Sequence, residues 1–222
     1  MTEAEWLTSK NPAPMLISML GTASERKLRL FGVACCRRCL DHFKDPRELQ
    51  AVLAAEKLAD GAISETEREG VQEDLYDLRD TRYDRSGGVP ELMLCLPCVV
   101  LAFEFTTADA ASVAREVVEI ASLTARNRQA FADPLLDEQI QFVHDIFGNP
   151  FRPAAFDPRW CTADVTALAR AIYDDRAFDR LPILADALMD AGCGDKQVLG
   201  HCRGPGPHVR GCWVVDLVLG KE

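Results

Sequence analysis

No stretch of this sequence is apolar for long enough to cross a bilayer. The longest such run, 92–103, is 12 residues and contains Pro97, whereas a membrane helix needs about 20 apolar residues. Residues 1–15 are polar and acidic, with no basic start and apolar core, so no secretory leader is expected and a cytoplasmic location is. Apolar–polar alternation at strand spacing is almost absent, and no internal repeat recurs. Positive charge is scarce as well. Lys and Arg number 25 against 35 acids, a formal net charge of −10, and a field of that sign repels phosphate. Nucleic acid and membrane surfaces are therefore not expected partners. The chain also lacks a Gly-x-Ser-x-Gly elbow, a His-Glu-x-x-His helix and a Walker A loop.

Cysteine, by contrast, is plentiful. Nine thiols, an odd number, are expected to stay reduced in a reducing compartment. A length of 222 residues with 48% hydrophobic and 27% charged residues suits an ordinary globular chain able to bury a core. Helical signals run along most of it. Asn11-Pro12 and Asp45-Pro46 read as helix caps followed by first-turn prolines. Trp6 and Leu7 form an apolar anchor ahead of them, and Thr22 with Glu25 has capping-box spacing before a helix to about His42. On that helix Leu28, Phe31, Gly32, Cys35, Cys36 and Cys39 share one face, with Arg26, Arg29 and Arg37 opposite.

Residues 60–84 hold nine acids and three bases and read as a solvated helix or two, partly mobile to 88. Helical stripes follow at Val113, Val117, Ile120 and Ala121, then at Val165, Leu168, Ala169 and Ile172, then at Leu181, Leu184, Ala185 and Leu188. A further helix opens at Asp133-Pro134 and runs through Phe147. The 148–160 segment, with three prolines and three aromatics, reads as an ordered, packed connection. The expected fold is all-α: one compact multi-helix domain, or two closely packed helical lobes meeting within 148–160.

The stretch 201–213, His-Cys-Arg-Gly-Pro-Gly-Pro-His-Val-Arg-Gly-Cys-Trp, departs most from generic packing material. It holds two of the four histidines, and no acid occurs between Asp195 and Asp216. Arg203 and Arg210 can clamp a small anion or an acidic partner segment, with Gly204 and Gly206 allowing close backbone approach and His208 a further contact. The plain alternative has both arginines pairing with nearby acids. Trp213 reads as the packing anchor at the loop's exit.

A metal reading draws on Cys35 and Cys39, one helical turn apart with Cys36 as alternate, joined by Cys202 and His208. Cys193, His201 and Cys212 are further soft ligands, and such a set suits zinc. Its rival is a set of core-packed thiols and no cofactor at all. Cys95-Leu-Pro-Cys98 has dithiol redox spacing but wholly apolar surroundings, which leave a thiol inert. Cys202 or Cys212 with His208 makes a nucleophile–base pair lacking an orienting third group.

Three segments carry a resemblance: 26–38 (Arg-Lys-Leu-Arg-Leu-Phe-Gly-Val-Ala-Cys-Cys-Arg-Arg), 145–153 (Asp-Ile-Phe-Gly-Asn-Pro-Phe-Arg-Pro), and the segment from Ala171 onward. They resemble an uncharacterised bacterial family present in many copies in planctomycetes. The resemblance implies no catalytic residues and places both ends of the chain in one module. The functional expectation is a non-enzymatic, intracellular protein-interaction or regulatory module. A zinc-supported domain comes next, and an enzyme or binding protein for a small anion at 201–213 third.

Overall fold

The computed structural model describes residues 1–19, 21–38, 40, 43, 45–86 and 134–221. Among these it has ten α-helices and no strand, as the missing alternation implies. The chain divides into two units between Ile140 and Gln141, so 148–160 lies wholly in the second. The stripe 113–121, Cys95, Cys98 and Cys39 lie outside the described residues.

The first unit carries α1 (Glu3–Thr8), α2 (Pro12–Ser18), α3 (Glu25–Arg37), α4 (Pro46–Ala59), α5 (Glu65–Ser86) and the start of α6 (Pro134–Phe147). Trp6 is buried while Leu7 is exposed, so the indole alone is the anchor. The Asn11 carboxamide accepts from the Ala13 N–H, as its place before Pro12 implies. At α3 the cap is Ser24, whose hydroxyl accepts from the Lys27 N–H. The Thr22 hydroxyl instead donates to the Met19 carbonyl, so the expected Thr22–Glu25 box does not form. Two helices in succession, α4 against α3 and α5 against α4, pack into this unit.

Burial on α3 is not confined to one face: every residue from Leu28 to Cys36 is buried, Arg29 included. Burial pushes the Arg29 guanidinium down to about 10, against the pull of Glu25. The polar face that the spacing sets at Arg26, Arg29 and Arg37 is therefore buried at Arg29. Arg37 instead makes a two-pronged pair with the buried Glu56 of α4, at 2.7 and 2.9 Å. Planar forks of this kind fix register between packed helices.

In the second unit the end of α6 is followed by α7 (Ala163–Asp175), α8 (Leu181–Asp190), α9 (Lys196–Cys202) and α10 (Trp213–Leu219), with short 3-10 turns at Pro158–Trp160 and Phe178–Arg180. Thr162 caps α7 and Asp195 caps α9 through side-chain oxygens that accept first-turn N–H groups. The core joins Val165, Ala169 and Ile172 of α7 to Leu181, Leu184 and Leu188 of α8 and Val214, Val215 and Val218 of α10. Phe156 and Trp160 pack edge to face at 5.3 Å against it, so this part of 148–160 is ordered by its aromatics.

Candidate metal centre

Residue Asp145 stands on the apolar stripe of α6, with Phe142, Val143 and Ile146 buried around it, and is itself 3% exposed. A carboxylate at such a position needs partners, because burying an unpaired charge costs many kcal/mol. Its partners come from the far end of the chain. Asp145 Oδ2 accepts the Val209 backbone N–H at 2.8 Å. Asp145 Oδ1 lies 2.6 Å from His208 Nδ1 and 3.0 Å from His201 Nε2. His201 Nε2 in turn lies 3.2 Å from the Cys212 sulfur. One atom each from Asp145, His201, His208 and Cys212 thus falls within 4.8 Å of all the others. These four could hold a metal ion.

Each element explains its ligand. Gly148, in the left-handed region at φ +63°, closes α6 one turn after Asp145. His201 projects from the last turn of α9, and Cys212 immediately precedes α10. Between them the 203–211 loop bends back so that His208 reaches the carboxylate. Its glycines serve that bend: a Cβ on Gly206 would meet the His208 backbone nitrogen at 3.1 Å and its ring at 3.3 Å, and one on Gly204 the His201 carbonyl oxygen at 3.1 Å. The Gly206–Pro207 peptide is cis.

Electrostatics follow from burial and convergence. Burial alone would raise the Asp145 carboxyl, but hydrogen bonds from His201 and His208 overcome it and hold the group below the usual range. Burial disfavours the His208 cation, yet Asp145 prevails and moves its ring upward. The Cys212 thiol, fully buried, is pushed well above its ordinary value by burial and then by Asp145. The N–H groups of Val215 and Val214 favour the thiolate without offsetting this. Cys202 is likewise pushed up to about 12, chiefly by burial.

This arrangement does not suit a cysteine nucleophile. In a thiol–imidazole–acid relay, sulfur and carboxylate engage opposite nitrogens of one ring. Here both face the same atom, His201 Nε2, and one nitrogen cannot carry a proton from sulfur while donating to the carboxylate. Burial and the nearby Asp145 carboxylate also disfavour the thiolate at Cys202 and Cys212 unless a cation binds there. The imidazole bonded to Cys212 belongs to His201, not to the His208 of the sequence-level pairing.

Of the sequence-level metal set, His208 is in the cluster. Cys202 is buried beside it in the core but supplies no ligand atom to the four. Cys35 is buried in α3 of the other unit. Asp145 was missed as a ligand, and its one signal is an acid in the middle of an apolar helical stripe. His201 and Cys212 stood only as alternates. Of the anion-clamp residues, Arg203 pairs with Asp186 at 2.7 Å and reaches the Met189 sulfur, while Arg210 stacks 4.5 Å over the Tyr173 ring. The plain reading thus describes Arg203, and the glycines shape the loop around histidines.

No described helix is long and apolar enough to cross a membrane. No family model matches the chain, and no curated protein or solved structure matches it either.

Proposed function

We propose that the second unit is a zinc-supported helical module, with the ion held by Asp145 Oδ1, His201 Nε2, His208 Nδ1 and Cys212 Sγ as an internal staple. The observation that carries this reading is the convergence of four ligand atoms of mixed O, N and S chemistry within 4.8 Å. A borderline ion with no geometric demand of its own takes such mixed tetrahedral sets readily. One carboxylate, one thiolate and two neutral imidazoles bring two negative charges, so a divalent ion makes the centre neutral. A neutral centre suits burial better than any charged one. The second Asp145 oxygen is already committed to Val209, the outer-shell contact that orients a ligating carboxylate.

Four protein ligands leave no open position, and a closed centre supports structure instead of turnover. The module is accordingly a non-catalytic interaction or regulatory unit. Metal analysis of the full chain, purified without chelator, tests the reading and should return about one zinc per chain. Asp145→Asn, His201→Gln and Cys212→Ala should each lower zinc affinity by about ten- to a hundredfold or more, whereas Cys202→Ala should retain it. Zinc-free protein that takes up none on titration would sink the proposal. So would loss of metal in Cys202→Ala equal to that in Cys212→Ala.

A further inference from the structure

Trp213 touches three of the segments that carry the ligands. It follows Cys212 directly in the chain. Its ring lies 5.1 Å from that of His201, tilted by 52°. It also lies against Gly148, just past Asp145 on α6, where a Cβ would sit 3.3 Å from indole carbons. The His201 ring meets His208 edge to face at 4.9 Å on another side. His201 therefore packs against both an imidazole and an indole, and the indole lies so close to residue 148 that a side chain there would crowd it.

Resting on the metal reading above, we propose that Trp213 is a positioning residue that closes the centre kinetically. It fixes the His201 ring and keeps water from a fifth position, so the ion leaves only when the first turn of α10 lifts away. A ligand ring fixed by packing cannot swing off the ion, and such outer contacts govern affinity nearly as strongly as the ligands. Water that reached a zinc ion beside a thiolate would compete for coordination and open an associative path to exchange. A half-buried indole tilted against the ligand ring places apolar surface in that path.

The test follows the release of Zn2+ from the loaded full chain to a chromogenic chelator, with Co2+ substitution reporting coordination number by its visible spectrum. Wild type is expected to hold one ion and release it slowly. Trp213→Ala should still bind one ion but release it roughly tenfold to a hundredfold faster, with the Co2+ spectrum moving toward five-coordination. Should the alanine variant fail to fold, Trp213→Phe carries the test and should release faster than wild type. Gly148→Ala, which pushes on the indole, should shift release in the same direction. Val218→Ala, at the far end of α10, loosens core packing away from the ring contact and should leave release nearly unchanged. Wild-type release rates in the Trp213 variants would overturn the proposal, as would equal acceleration by Val218→Ala. A wild-type chain that binds no ion would defeat the metal reading itself, which separates the two failures.

Discussion

Two constraints meet at Gly206. Its φ is +72°, in the region that a side chain strains, and a Cβ there would press on the very histidine that reaches Asp145. Gly206→Ala should therefore cost about 1–3 kcal/mol in backbone strain and weaken zinc binding together with it. Gly200 offers the contrast: it lies inside α9 and a Cβ there meets nothing within 4 Å. Gly200→Ala should be stabilising by roughly 0.5–1 kcal/mol with zinc affinity unchanged. Calorimetry with and without zinc separates the two. If both variants behave alike, loop geometry has no part in ligand placement. From sequence, the two loop glycines read as backbone cleared for a ligand. In the structure the nearest groups that a Cβ at either glycine would meet belong to His201 and His208.

Helix starts were legible because a cap is a local event. Asp45 accepts the Arg47 N–H while Glu48 returns a bond to the Asp45 N–H at 2.9 Å, both within one turn of Pro46. Asp45→Ala should cost about 0.5–2 kcal/mol, and Asp45→Asn much less, as urea midpoints would report; an unchanged midpoint for Asp45→Ala would show α4 held by packing alone. What the sequence hid were effects set by partners distant in the chain. Nothing near Arg29 announces that α3 is buried on every side from Leu28 to Cys36, for the arginines have ordinary amphipathic spacing. Ser24 over Thr22 as the cap is a choice between two good residues decided by where the chain turns. The candidate metal cluster was half legible for the same reason. His201, His208 and Cys212 lie in one short stretch, but the acid that completes them is 63 residues from His208. Cysteine spacing on α3 drew attention to Cys35, a thiol whose helix buries it as a small hydrophobe.

Across the whole molecule, the division at Ile140/Gln141 gives the metal reading a spatial consequence. All four candidate ligands belong to the second unit, and they join the end of α6, the end of α9, the 203–211 loop and the start of α10. An ion that binds only the folded state adds its binding free energy to folding, about 2.7 kcal/mol at a free concentration one hundred times Kd. A domain of roughly 60–100 residues shifts its midpoint by about 4–8 °C per kcal/mol. Stripping zinc should thus lower the melting temperature of the second unit by roughly 10–20 °C, and hydrogen exchange can say where. Amides of α9, the 203–211 loop and α10 should exchange faster after chelation, since their opening no longer breaks metal bonds. Amides of α3 and α4, in the first unit, carry none of the ligands and should keep their protection. Uniform acceleration across both units would mean that chelation unfolds the chain as one body. Unchanged protection at α9 and α10 in protein shown to have lost its zinc would mean that the ion staples nothing, whatever its affinity.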